Sequence, residues 1–287
     1  MINKISWDIC QEISDEILFA GLDILKSKTK TSFDNLKPID FDFGNYLISE
    51  SGRFYYIGES KNINSRLMQH SNKKRSTFYK NYLKKYGELA NLQINEFDLQ
   101  FMNTNIGRKE IEEFGIVNLP TILNKFQIGK RKVYNGNPNQ KLWENVNNNY
   151  NNLLLEGETA FLKQKYIDWY DANPPDNAGI YSVQHIKDGL IYIGESSNVE
   201  ERYDTHSGTT YFSAFRRHIG TDILNFFLKN KNGQRQKRYF TDSEDCMVDK
   251  YLKKCKISYM KINFGRFELE EHMIRKYHPL LNRKENK

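Results

Sequence analysis

The stretch NAGIYSVQHIKDGLIYIGESSNVEERYDTH, Asn177 to His206, decides how this chain is read. Two short runs rich in β-branched and aromatic residues, AGIYSVQ and LIYIG, flank Asp188-Gly189, a dipeptide suited to the tight turn of an antiparallel hairpin. Each run carries a tyrosine, Tyr181 or Tyr192. A helix is expected next, on which Arg202 and His206, four residues apart, share one face. By default a strand tyrosine is a packing residue, and an Arg with a His at this spacing is a solvated helix face. The pattern rises above those defaults because it occurs twice.

YYIGESKNINSRLMQH, Tyr55 to His70, lies over IYIGESSNVEERYDTH, Ile191 to His206, with YIGES shared outright. Tyr56 to Arg66 repeats the ten-residue step of Tyr192 to Arg202, and His70 matches His206. Ser60 and Ser197 read as the caps of the two helices. Upstream of the first copy, FGNYLISESGRFYYIG has the same strand-turn-strand pattern, placing Tyr46 where the other copy has Tyr181. Downstream, IEEFGIVNLPTILN matches LEEHMIRKYHPLLN: Glu112 and Glu270 each stand twelve residues before an asparagine, Asn124 or Asn282. The chain is a tandem duplication.

These residues resemble the GIY-YIG nuclease domain, whose fold is similar to the nuclease half of bacterial excision-repair incision proteins and to some homing and restriction endonucleases. The second copy holds the literal Gly179-Ile180-Tyr181 and Tyr192-Ile193-Gly194, whereas the first has Gly44-Asn45-Tyr46 in place of GIY. Asn45 is the middle residue of a strand and points away from its neighbours, so the change bears on packing more than on chemistry. The resemblance implies an α+β chain of two such domains, each a small, mostly antiparallel sheet flanked by helices. It also implies phosphodiester hydrolysis, with Tyr181 as base or proton relay beside Tyr192, Arg202 on the phosphate and Glu270 holding one divalent metal. Tyr46, Tyr56, Arg66 and Glu112 take the matching places in the first domain. One carboxylate per domain suits one Mg²⁺ or Mn²⁺ per active site, completed by water and phosphate oxygens. His70 and His206 would donate to phosphate or assist proton transfer, and Asn124 and Asn282, counted with the catalytic set, would orient the site or fix the chain beyond the helix. A free tyrosine has a pKa of about 10, so a tyrosine base requires nearby positive charge, from the arginine and the metal, to lower it.

Further out, Ile9, Ile13, Ile17, Leu18, Leu22 and Leu25 recur at helical spacing and predict one amphipathic helix at the start. Between the copies, Trp143, Val146, Tyr150, Leu153 and Leu154 mark one helix. Leu162, Tyr166, Trp169 and Tyr170 mark another, ending before Asn173-Pro174-Pro175. The expected organisation is an N-terminal helical segment 1–40, a first domain 41–127, a helical connector 128–175 and a second domain 176–287.

The formal charge of +7 favours a polyanionic partner, nucleic acid before a membrane surface. Eighteen tyrosines and 18 phenylalanines require aromatic bulk to fill much of the interior. No apolar run reaches bilayer length and the opening segment is acidic and helical, so a soluble, cytoplasmic protein is expected. Cys10, Cys246 and Cys255 include no CxxC pair and read as ordinary thiols. Basic residues interleaved with aromatics form the expected DNA-contacting set: Lys73, Lys74 and Arg75 in the first domain, and Arg216, Arg217, Arg235, Lys237 and Arg238 in the second. Two sites in one chain fit an endonuclease cutting both strands of double-stranded DNA, restriction-like or directed at foreign DNA, as a monomer acting as a pseudo-dimer or as a homodimer. The alternatives are a structure-specific repair nuclease, a nickase with an idle first domain, and a non-catalytic DNA-binding protein.

Overall fold

The computed structural model describes residues 5–87, 92–124, 131–230 and 238–283. The chain divides into two compact units, Met1–Leu154 with Asn263–Glu268, and Leu155–Ile262 with Leu269–Lys287.

The first unit begins with α1 (Trp7–Glu12) and α2 (Ser14–Ser27), two helices where the periodicity predicts one. Ile13 leaves the helical region at φ −101°, ψ 28°, and α2 still buries Ile17, Leu18, Leu22 and Leu25. There follow β1 (Thr31–Ser32), β2 (Gly44–Glu50), β3 (Arg53–Ser60), α3 (Ile63–Ser71), α4 (Thr77–Tyr86), β4 (Asp98–Asn103), α5 (Arg108–Asn118) and α6 (Gln140–Asn148). The sheet runs β1-β4-β2-β3, antiparallel at every pairing. Trp143 of α6 packs so closely on α2 that a Cβ at Gly21 would meet its ring at 2.8 Å. The first helix of the expected connector is therefore part of this unit's core.

After α7 (Tyr150–Leu162), the second unit repeats the topology with β5 (Ile167–Asp168), β6 (Gly179–His185), β7 (Gly189–Ser196), α8 (Val199–Ser207), α9 (Ala214–His218), α10 (Asp242–Leu252), β8 (Cys255–Lys261) and α11 (Arg266–Tyr277). Its sheet runs β5-β8-β6-β7. Two expectations for the connector are corrected. The Trp143 to Leu154 pattern is broken at Asn149, whose side chain bonds back to the Asn145 carbonyl. The segment around Trp169 is not an α-helix: Ile167 and Asp168 pair with Ile257 and Lys256 of β8, and only one 3-10 turn, Trp169–Asp171, follows, so edge pairing wins over α-helical spacing. Each sheet thus takes its short edge strand from upstream of the segment assigned to its domain, β1 in one unit and β5 in the other. The three cysteines are free thiols.

Register explains the glycines. In β2/β3, Tyr46 faces Gly58, and in β6/β7, Tyr181 faces Gly194. The tyrosine ring lies across its partner glycine, so an added Cβ would stand 2.4 Å from Tyr46 Oη or 2.6 Å from Tyr181 Oη. The motif needs glycine there because the ring takes the side-chain space.

A second repeated string, GRKEIEEF against GRFELEEH, forms a buried charge cluster within the first unit. Arg266 is 1% exposed and bonds Glu110, 0% exposed, at 3.1 Å, and also Glu113. Arg108 bonds Glu268 at 2.8 Å. The backbone N–H of each arginine donates to the same glutamate, Arg266 to Glu110 and Arg108 to Glu268. Such clusters hold together only when each charge is paired and hydrogen-bonded. This one fixes the first turn of α5, two residues before Glu112.

Candidate active site

In the second unit, adjacent antiparallel strands set the Tyr181 and Tyr192 rings 6.0 Å apart, inclined at 37°. Tyr181 is buried and its Oη lies 2.9 Å from His206 Nε2. His206 Nδ1 lies 2.8 Å from Ser213 Oγ, and that oxygen also caps α9 by accepting the Arg216 N–H. Arg202, one turn before His206 on α8, is exposed. Glu270, on α11, accepts the Glu195 N–H through Oε1 at 3.1 Å, which ties it to the end of β7.

The first unit builds the same arrangement. The Tyr46 and Tyr56 rings stack at 6.1 Å, and Tyr46 Oη lies 2.8 Å from His70 Nε2. His70 Nδ1 lies 3.3 Å from Ser76 Oγ, the cap of α4. Arg66 is turned inward: its Nε donates to Tyr46 Oη at 3.2 Å and its Nη1 to Gln69. Arg66, Gln69, Lys61 and Arg75, with Glu59, line an open cleft of about 720 Å³ in which cations outnumber the carboxylate. Lys109 Nζ donates to Glu112 Oε2 at 3.2 Å, a contact for which the second copy has only Phe267 at the matching position.

Burial sets the protonation of these groups. It raises Tyr46 and Tyr181 well above the ordinary tyrosine value, although Arg66 and Arg202 each pull their tyrosine down. It pushes Tyr192 up to about 12, helped by Glu270, and raises Tyr56. The same burial, with the adjacent arginines, lowers His70 and His206 to about 3. The arginine by itself does not make its tyrosine acidic: desolvation outweighs that neighbouring charge. At neutral pH each site holds a neutral tyrosine bonded to a neutral imidazole.

Three further placements narrow the expected roles. His70 and His206 lie behind the tyrosines, each 2% exposed, so they reach the tyrosine hydroxyl and not a phosphate. Asn124 and Asn282 use both ends of their amides on one strand residue: Asn124 accepts the Ile57 N–H and donates to the Ile57 carbonyl, and Asn282 does the same with Ile193. They fix the middle residue of YIG. The helix caps are Asn62 and Asn198, while Ser60 and Ser196 shape the preceding turn. Asn45, in place of isoleucine, is wholly buried and donates to the Gly58 and Arg108 carbonyls, so the change stays inside the packing.

Of the expected DNA-contacting residues, Lys73, Lys74 and Arg75 are exposed. Arg217 and Arg238 are half-buried; Arg217 donates to the Thr210 and Tyr211 carbonyls and Arg238 lies over the Tyr211 ring. Arg216 is a correction: it is buried and paired with Asp245 at 2.9 Å and Asp249 at 2.7 Å, and so is part of the fold. Arg235 and Lys237 lie outside the described residues.

Among the described residues no group of three or more His, Cys, Asp or Glu side chains could hold a metal ion. Each site offers hard carboxylate oxygen donors, Glu112 with Glu59 in the first and Glu270 with Glu195 in the second, near an arginine. That set fits a magnesium-like ion that keeps most of its waters and takes its remaining ligands from phosphate.

Two family models match the chain, both described as a GIY-YIG catalytic domain, one over residues 43–113 and the other over residues 162–287. No curated protein and no solved structure matches.

Proposed function

Because the chain belongs to the GIY-YIG nuclease superfamily, with two tandem domains, we propose that it is a divalent-metal-dependent endonuclease that cuts both strands of double-stranded DNA, one domain per strand. The role that suits it is restriction-like or otherwise directed at foreign DNA, in the cytoplasm, as a monomer or homodimer. The observation that carries this reading is the constellation of two tyrosines, arginine, histidine and glutamate, present twice, with the same tyrosine-to-histidine hydrogen bond in both copies. A binding module has no use for a tyrosine hydroxyl bonded to a buried imidazole in each half. Among the described residues no helix is long and apolar enough to cross a membrane.

Arg202 binds the scissile phosphate and stabilises its growing charge, and Arg66 does so in the first domain. Tyr181 accepts a proton from the attacking water as its own hydroxyl proton passes to His206 Nε2. Tyr46 and His70 act in the same way. This relay needs no preformed tyrosinate, which suits tyrosines whose burial keeps them protonated. Glu270 and Glu112 would hold Mg²⁺ or Mn²⁺, which when bound supplies Lewis-acid charge at the phosphate.

One observation favours a second reading, a nickase with an idle first domain: the Lys109 ammonium already lies on Glu112, where a metal would have to bind. Cleavage of supercoiled plasmid by the parent, Glu112→Ala and Glu270→Ala separates the two. If each single variant stops at nicked circles, both domains cut. If the parent itself stops at nicked circles and Glu112→Ala nicks as well as the parent, the protein is a nickase with an idle first domain. If Glu112→Ala still linearises the plasmid, the first domain is idle and double-strand cutting comes from pairing two chains. A parent that leaves the plasmid intact with either metal overturns the nuclease.

A further inference from the structure

The histidine of each site touches a second buried hydroxyl, on the side away from the tyrosine. Ser213 and Ser76 are both 0% exposed. Each caps a helix, Ser213 accepting the Arg216 N–H at 3.1 Å and Ser76 the Tyr79 N–H at 2.9 Å. Capping alone requires only a side-chain acceptor and says nothing about a histidine. Yet Ser213 Oγ lies 2.8 Å from His206 Nδ1, and Ser76 Oγ lies 3.3 Å from His70 Nδ1. The serine follows its histidine by seven residues in one copy and six in the other, so the contact survives a change in loop length.

We propose that Ser213 and Ser76 are positioning residues, the third members of a Tyr–His–Ser chain that leaves the Nε2 lone pair facing the tyrosine hydroxyl. The inference rests on the relay proposed above. A serine oxygen has two lone pairs and one proton. One lone pair takes the helix N–H, and the cap thereby fixes where the oxygen stands. With the second lone pair accepting the histidine Nδ1–H, Nε2 carries no proton and can receive one from the tyrosine. In the opposite arrangement the serine O–H donates to Nδ1 and Nε2–H donates to the tyrosine, which leaves the tyrosine proton no destination. When the imidazole accepts the relayed proton, both its nitrogens become donors, and the serine oxygen then accepts from the imidazolium.

The charged and titratable groups facing His206 are Tyr181 on β6, Tyr192 on β7, Arg202 on its own helix and Arg216 on α9. Both arginines disfavour the imidazolium. Ser213 is an acceptor that favours it.

The test uses the full chain carrying Glu112→Ala, so that nicking reports the second site, with Ser213→Ala, Ser213→Thr and Ser213→Asp. Nitrogen NMR of His206, assigned by its loss in His206→Gln, gives tautomer and pKa without any turnover. The parent is expected to show the Nδ1–H tautomer, with mixed tautomers in Ser213→Ala. In nicking, Ser213→Ala should lower kcat about ten- to a hundredfold, the loss typical when the outer partner of a metal-bound histidine is removed and taken here as the scale, with KM little changed. Ser213→Thr, which keeps the hydroxyl, should restore most of the rate. Because His206 must be neutral to accept a proton, activity falls as pH drops through its pKa. Ser213→Asp favours the imidazolium and should move that limb to higher pH together with the NMR titration. An Nε2–H tautomer in the parent overturns the proposal, whatever the nuclease assay gives. So does a Ser213→Ala variant that loses thermal stability while keeping its kcat and pH profile. If nothing nicks but the Nδ1–H tautomer is present and depends on Ser213, the positioning stands and the nuclease reading fails.

Discussion

Replacing Arg266 with methionine should cost the first unit much of its stability, and the loss should depend on pH. The guanidinium is buried against Glu110 and Glu113, themselves almost inaccessible. Methionine keeps the volume but leaves two carboxylates without their cation. Breaking a buried pair from one side typically costs about 3–5 kcal/mol, because the remaining charge stays desolvated. For a unit of this size, about 2–4 °C per kcal/mol converts that to a fall of about 6–20 °C in melting temperature. Burial already raises Glu113 above its usual range, with Arg266 opposing the shift. Without the arginine it rises further. A carboxyl whose folded pKa exceeds its unfolded one contributes stability that is present at low pH and lost as pH climbs through the folded value. The deficit of Arg266→Met should therefore be largest near pH 8 and shrink towards pH 5. Scanning calorimetry of the full chain across that range, with the double variant Arg266→Met/Glu113→Gln, is the assay, and the double variant should recover part of the loss at pH 8. A shift below about 2 °C at pH 8, or one that grows on acidification, refutes the assignment of these charges to a dry, mutually dependent cluster.

Gly194→Ala places a Cβ 2.6 Å from Tyr181 Oη, so it should displace that ring and cost about 1–3 kcal/mol, with second-site nicking falling further than melting temperature alone explains. Asn282→Ala removes both bonds to the Ile193 backbone, and should cost about 1–3 kcal/mol with faster hydrogen exchange at the Ile193 amide. Arg216→Ala should lower the melting temperature by stranding Asp245 and Asp249 while leaving the salt dependence of DNA binding unchanged. Arg75→Ala should do the opposite, lowering the slope of log affinity against log salt by about 1 if it contacts one phosphate. Filter binding at several salt concentrations separates the two.

What could be read without coordinates was local or repeated. The YIGES strings, the Tyr–Arg–His spacing and the Glu-to-Asn step were each legible because a duplicated chain shows every spacing twice, and four residues on a helix always share a face. Tertiary structure decided what those side chains face. Tyr181 meets His206 across 25 residues, and Gly194 makes room for the tyrosine ring only once β6 and β7 are in register. Ser213 has no motif of its own, and its role depends on where a helix begins. Arg216 read as a DNA contact because a basic residue among aromatics looks the same whether it faces solvent or two aspartates. Protonation was least accessible: the sequence puts an arginine near each tyrosine, which argues for a lowered pKa, but the depth of burial reverses the sign. Spacing along a chain encodes neighbours, whereas register and burial come from contacts between residues far apart in it, and in this protein those contacts set the chemistry.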